Sequence, residues 1–244
     1  MIKNKINPIW DFAKEYLYHI QFERRLSLNT VDAYKYDLKN YTNFITNELN
    51  LTSFDMIKST HIQLFIENLT NSKNNIKPSS VIKPRSLQRL YSTIRGFHQY
   101  LTMTNLSKSD PSSFLTIPRI TNNMPVTLQV EEVTKIINSV NINKKMALRD
   151  KSILSMLYAA GLRVSEIINL KLKNLIIDES LIRVFGKGNK ERIIPIGNMA
   201  LNNLNIYLNN LRPNYSSRGK SNGIVYLNNR GSKLSRMSIW NIFN

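Results

Sequence analysis

Three side chains in the second half of this 244-residue chain have types and spacing suited to acting on a phosphodiester. Arg163 follows the glycine of the stretch LYAAGLRVSEIIN, Leu157–Asn169, and Glu166 stands about one helical turn later. Lys187 lies between Gly186 and Gly188 in VFGKGNKERIIP, Val184–Pro195. Breaking a phosphodiester without a metal ion needs donors on the non-bridging oxygens, a nucleophile, and an acid for the leaving oxygen. The planar fork of Arg163 can give two parallel hydrogen bonds to a phosphate, which the point charge of a lysine cannot match. Glu166 can orient that guanidinium by a charge-assisted bond. Lys187 suits the acid role, because a turn framed by glycines lets backbone and ammonium come close to a substrate. General acid catalysis typically contributes ~10²–10⁴ in rate. Taken singly, an arginine after a glycine cap and a lysine in a hairpin turn are ordinary surface charges. Only the combination carries weight.

The hydrophobic periodicity says which elements must hold these groups. Leu181–Phe185 and Arg192–Ile196 read as two strands around the Gly-Lys-Gly-Asn turn. A helix from about Ala147 to Ala160 ends at Gly161, a good left-handed cap. Before it, Thr127 is placed to cap a helix whose buried face is Val133, Ile136, Ile137 and Val140. After the hairpin, Leu201, Leu204, Tyr207, Leu208 and Leu211 mark another helix, Gly223–Leu227 a short strand, and Ser235 the start of a helix with Ile239, Trp240 and Phe243. The first half reads as helices only. Its stripes are Ile9, Phe12, Tyr16, Leu17 and Ile20; then Val31, Tyr34, Leu38, Tyr41 and Ile45; then Ile62, Phe65, Ile66 and Leu69; then Leu87, Leu90, Ile94, Phe97 and Leu101. Asn29 is expected to cap the second of these helices, and Thr60 with Gln63 to form a capping box ahead of the third. Between residues 105 and 125 periodicity fails among serines and prolines, as in a basic linker, and seven of the eight glycines lie beyond residue 160. The expected organisation is a helical domain over 1–104, a linker over 105–125 and a second domain over 126–244 that mixes helices with a small sheet.

Charge narrows the partner. Lys and Arg outnumber Asp and Glu by 34 to 16, a net charge of +18 that favours polyanions, nucleic acid first and anionic membrane second. An AT-rich genome would inflate lysine but not arginine, and arginines recur throughout. The chain has no apolar run long enough to span a bilayer and no signal peptide, which argues for a cytoplasmic protein without membrane partners. It has no cysteine, and His19, His61 and His98 are scattered, so no metal site is expected. No Gly-rich loop ending in Lys-Ser/Thr is present, so the chemistry is expected to need neither ATP nor any other cofactor.

Taken together, LYAAGLRVSEIINL and FGKGNKERIIPIG resemble two catalytic segments of the tyrosine recombinase (phage integrase) family. ERRLSLNTVDAYKYDLKNY and RSLQRLYSTIRGFHQYL are similar to the DNA-binding helical domain of its Xer subgroup, DPSSFLTIPRI to its linker and GNMALNNLNIYLNNLRP to a following helix. The resemblance covers essentially the whole chain. It implies a mainly α fold with a small β-sheet: an N-terminal four-helix SAM-like DNA-binding bundle and an α+β catalytic domain, closing as a clamp on duplex DNA. It further implies that Arg163 contacts the scissile phosphate and Lys187 protonates the departing 5′-OH, with Glu166 in support. DNA contacts are expected from Asn29, Thr30 and Lys35 near a helix start, which suits anions, from Arg85, Arg89 and Arg95 on the fourth helix, and from Lys190 and Arg192 on the hairpin. Arg85, Arg89 and Arg95 do not share one helical face, so one of them is free to support the fold instead. The implied partners are double-stranded DNA and a second Xer-type recombinase in a four-protomer synapse, and the implied role is chromosome partition.

The family pattern also contains a His-x-x-Arg box, a further His or Trp, and a nucleophilic tyrosine. Nothing after Lys187 reads HxxR, and Tyr207, Tyr215 and Tyr226 precede the place where the box would begin. The nucleophile is therefore assigned to none of them. The catalytic domain is expected to be incomplete, to expose apolar surface and to be the less stable half, and the chain by itself to bind DNA without cutting it. The competing readings are a non-catalytic DNA-binding protein and a mobile-element integrase of the same family.

Overall fold

A computed structural model describes residues 8–70, 82–117, 126–186 and 190–243. The chain divides into two compact units, Met1–Met124 and Pro125–Asn244. The first is built from four helices, α1 (Pro8–Tyr18), α2 (Leu28–Asn43), α3 (Ser59–Thr70) and α4 (Pro84–Met103). The expected stripes meet in one core: Ile9, Tyr16, Ile20, Leu38, Tyr41, Ile45, Ile62, Ile94, Phe97 and Leu101 are all buried. Each large apolar side chain sequestered there contributes roughly 1.5–3 kcal/mol. Within this core the Tyr41 hydroxyl and His98 Nε2 share a 2.7 Å hydrogen bond. Burial pushes the His98 imidazole down to about 4, although nearby Asp110 pulls the other way.

The helix starts lie elsewhere than the sequence suggests. Ser27, not Asn29, caps α2, its Oγ accepting from the Thr30 amide at 3.3 Å, and Asn29 falls inside the first turn. At α3 Thr60 is already helical; His61 Nδ1 instead accepts the Lys58 amide at 3.1 Å. Several adjacent polar residues can cap, and the one chosen is set by where the first turn packs. α1 and α2 each run on as a π-helical turn, His19–Glu23 and Phe44–Glu48, before the left-handed residues Arg25 and Asn50, and left-handed Asn105 follows α4. Residues 105–117, expected to open the linker, run as turns packed on this unit. The Lys108 amide donates to Asp55 Oδ1 at 3.2 Å, and Leu115 joins the core. Residues 118–125 of the expected linker lie outside the described residues.

The second unit contains α5 (Val130–Asn138), α6 (Ala147–Ala160), α7 (Val164–Asn169), β1 (Leu175–Ile176), β2 (Leu181–Phe185), β3 (Glu191–Pro195), α8 (Asn198–Asn210), α9 (Arg212–Ser216) and α10 (Arg236–Phe243). The strands form one antiparallel sheet in the order β1-β2-β3, with Ile182 opposite Ile194 and Val184 opposite Arg192. α6 has the expected bounds, and Gly161 closes it at φ 55°. α5 is capped by Gln129, whose amide donates to Glu132, rather than by Thr127. Of its expected apolar face Ile137 is buried and Ile136 is exposed. Residues 223–227 do not join the sheet. Ile224, Val225, Tyr226 and Leu227 are buried, with isolated bridges from Ile224 to Lys171 and from Leu227 to Lys233. Carbonyls of this segment accept from Arg212, Tyr207 and Arg149, which replace a neighbouring strand as donors. On α10 Ile239 is buried, while Met237, Trp240 and Phe243 are exposed. Among the described residues no helix is long and apolar enough to cross a membrane.

Candidate active site

The site grows from the junction of α6 and α7. Gly161 turns the chain in the left-handed region, Leu162 is buried, and Arg163 occupies the extended position ahead of α7 at φ −72°, ψ 153°. An N-terminal position of this kind leaves the helix amides without partners in their own helix. Glu166, three residues on, reaches back and accepts the Arg163 amide on Oε2 at 2.7 Å. This is the return arm of a capping box. The same carboxylate takes the Arg163 guanidinium on Oε1 at 2.9 Å, and Arg192 Nη2 of strand β3 donates to Oε2 at 2.9 Å.

One buried carboxylate therefore holds two arginines. The Glu166 side chain is 3% exposed, whereas those of Arg163 and Arg192 are 63% and 37% exposed. Burial alone would push the Glu166 carboxyl up. The Arg163 amide and guanidinium, with the charge of Arg192, outweigh it and hold the group below its ordinary value. It is thus a carboxylate at neutral pH. Arg163 uses one Nη on Glu166 and presents a largely open fork, the arrangement expected of a group that must still bind an oxyanion.

The hairpin β2–β3 comes to the same place. Gly186 donates its amide to the Lys190 carbonyl at 2.8 Å, and a Cβ on Gly186 would stand 3.3 Å from Arg192 Nη1 and 3.6 Å from Glu166 Oε1. The hairpin backbone at Gly186 thus runs close to the ion pair, and a side chain there would crowd Arg192 by a few tenths of an ångström. Lys187, next in sequence, lies outside the described residues, as do Gly188 and Asn189. Lys190 is exposed at the far side of the turn.

Arg192, an expected DNA contact, also pairs with Glu166. Strand alternation held the signal: Arg192 shares the half-buried side of β3 with Ile194, where a charged residue needs a partner. The three tyrosines after the hairpin are core residues. Tyr207 and Tyr226 stack with ring centroids 5.3 Å apart, Tyr207 donates to the Val225 carbonyl, and Tyr226 shares a hydrogen bond with Ser152. Burial pushes both phenols up, away from the phenolate form. Tyr215 is buried as well. Among the described residues no three His, Asp or Glu side chains converge as metal ligands would.

In the first unit, four of the expected DNA-contact residues meet. Asn29 and Thr30 at the start of α2, with Arg85 and Arg89 of α4, line an open cleft of about 510 Å³. They are not equivalent. Arg89 makes a two-pronged bond to Asp37, Nε to Oδ2 at 2.8 Å and Nη2 to Oδ1 at 2.9 Å, and Asp37 is buried. Arg85 is exposed. Lys35 is not with this group; it lines a different groove beside Trp10, Lys14 and Tyr18. Arg95 is half-buried and is not among the cleft's lining residues.

A cationic helical unit and a helix-and-hairpin unit with an open arginine fork suit a polyanionic partner, and comparison with known proteins makes this specific. Residues 127–244 match the phage integrase family, and residues 13–105 its N-terminal SAM-like domain. The chain is 37% identical over 227 residues to tyrosine recombinase XerD of Staphylococcus aureus, covering 93% of this chain and 74% of that protein. It is similar in fold to lambda integrase bound to DNA, with a TM-score of 0.67 at 12% identity, covering 97% of this chain and 76% of that one. It is equally similar to a lambda integrase tetramer bound to a Holliday junction, again at 0.67, with 14% identity and coverage of 99% and 66%. The chain belongs to the phage integrase family, as a tyrosine recombinase of the Xer type, the class of proteins that carry out site-specific DNA recombination.

Proposed function

We propose that this protein engages duplex DNA at a specific site, and that the pair Arg163 and Lys187 activates a phosphodiester there for cleavage and rejoining. Arg163 would donate to the non-bridging oxygens, Glu166 would fix its orientation, and Lys187 would deliver a proton to the leaving 5′ oxygen as a tyrosine hydroxyl of the family's kind, assigned to no residue of this chain, forms the new bond to phosphorus. The observation that carries this is the buried Glu166 carboxylate. It is saturated by two arginines and leaves one guanidinium fork open to solvent. In the first unit, Arg85 with Asn29 and Thr30 would hold a phosphate of the same duplex, the start of α2 adding its dipole. Lys190 on the hairpin would contact the backbone near the cut. The kinship with XerD and with a lambda integrase tetramer on a Holliday junction supports a role in chromosome partition, with a second Xer-type recombinase in a tetrameric synapse, in the cytoplasm.

Selection from a pool of random duplexes tests the binding half. A single dominant site is expected, and enrichment of no sequence would refute site-specific action. Incubation with nicked suicide DNA tests the chemistry. Tyr207, Tyr215 and Tyr226 are all buried, so none of these three is expected to form the covalent adduct. Selective binding that Arg163→Gln and Lys187→Gln both leave unchanged would favour the second reading, a DNA-binding protein that does not itself cleave.

A further inference from the structure

Glu166 touches two elements that lie far apart in sequence. On α7 the carboxylate is bound by its own helix start, through the amide and guanidinium of Arg163. Among the described residues of the hairpin it is bound by Arg192, through Nη2 at 2.9 Å. The register of β2 and β3 places Arg192 opposite Val184, so the guanidinium emerges at the hairpin's turn end, one pair from Phe185 and Glu191. Beside it, the backbone of Gly186 lies where an added Cβ would meet Arg192 Nη1 at 3.3 Å. The last described residue before Lys187 is therefore packed on the arginine that is tied to Glu166.

We propose that Arg192 is a positioning residue: through Glu166 it holds the paired ends of strands β2 and β3, up to Gly186, in register with Arg163. Two cations acting on one phosphate must be held to within roughly 0.5 Å to be productive, and that precision comes from the shell behind them. A two-stranded hairpin tip has little precision of its own. Glu166, anchored at the α6–α7 junction and nearly excluded from water, supplies a fixed point, and the half-buried Arg192 is the tether. The inference rests on the proposed roles of Arg163 and Lys187, yet its geometric content can be tested without any DNA cleavage.

The chain has no cysteine, so two introduced ones give unique labels. Ser165 on α7 and Lys190 on the hairpin are both exposed. Spin labels on Ser165→Cys and Lys190→Cys, read by pulsed electron resonance, report the helix-to-hairpin distance. With Arg192 present the distance distribution should be narrow. Arg192→Gln should broaden it about twofold, while Arg192→Lys, which keeps a single charged bond to Oε2, should restore it. The thermal midpoint, read in parallel, separates this from general loosening, since a merely structural arginine would lower the midpoint and leave the native distribution narrow. An unchanged distribution in Arg192→Gln overturns the proposal. So does an unchanged distribution together with a fall of about 0.9 in the salt slope of DNA binding, which would make Arg192 a phosphate contact instead. Binding assays on Arg163→Gln and Lys187→Gln decide the site reading separately. If neither alters the footprint on the selected duplex while the distribution still depends on Arg192, the roles of those two cations fail and the tether stands.

Discussion

Arg85 and Arg89 stand one helical turn apart on α4 and line the same cleft, yet their partners assign them opposite work. Arg89 neutralises Asp37, a carboxylate with 5% side-chain exposure that also accepts from Thr93 at 3.3 Å. Removing one partner of a buried pair costs about 3–5 kcal/mol when both are sequestered. Arg89 is 38% exposed, so solvent screening lowers the expected loss for Arg89→Ala to roughly 1–3 kcal/mol. Arg85→Ala should leave stability within about 0.5 kcal/mol, as for an ordinary surface change, and weaken DNA binding instead. Urea unfolding and a binding titration on both variants check this. A large stability loss at Arg85, or none at Arg89, would reverse the assignment. The sequence could say that three arginines on α4 did not share a face, and so that one was free to support the fold. It could not say which, because Asp37 is more than fifty residues away and reads as just another polar position on α2. Arg163 and Glu166 were legible since their pairing is local, three residues apart; Arg192 was not, because its partner is on another element.

Among the elements, those whose bounds are written locally are legible in the sequence, and those set by packing are not. The bounds of α6 and β2 follow from the left-handed glycine at 161 and from the apolar run LIRVF ending at the glycine-framed turn. The helix starts near Ser27, Lys58 and Gln129 sat among several polar residues of similar capping strength, and tertiary packing chose between them. Residues 223–227 have the composition of a strand, but their carbonyls are met by side chains of Arg212 and Tyr207. Two predictions belong here. Ile239 and Trp240 are neighbours on α10, 1% and 63% exposed. Ile239→Ala should cost about 2–4 kcal/mol, and Trp240→Ser under about 1 kcal/mol, by chemical denaturation. The other concerns pH. In the folded bundle His98 titrates near 4 against 6.5 for the free side chain, so the unfolded chain binds the proton more readily. Stability from this group is thus full above pH 6.5 and falls as pH drops toward 4, by about 3 kcal/mol in all. His98→Gln, able to keep the bond to Tyr41, should flatten the unfolding free energy across that window. An undiminished pH dependence would show that other groups set it.

At the scale of the whole molecule the charge is spread, and this decides how binding should respond to salt. The first unit carries 16 Lys and Arg against 9 Asp and Glu, and the second 18 against 7, so neither alone accounts for the +18. A polyanion lying against both releases counterions to both, and log affinity falls linearly with log salt by about 0.9 for each phosphate neutralised. Arg85 in the first unit and Lys190 in the second are exposed cations with no part in the Glu166 or Asp37 pairs. If each neutralises one phosphate of the same duplex, Arg85→Gln and Lys190→Gln should each reduce the slope by about 0.9. The double variant should then lose the sum, as independent sites do. Fluorescence anisotropy of a labelled duplex across a salt series measures all four slopes. Should the Arg85 change alter the slope while the Lys190 change does not, the first unit would be binding DNA alone. The hairpin would then lie away from the backbone it is proposed to act upon, and the open fork of Arg163 beside it would have no phosphate to hold.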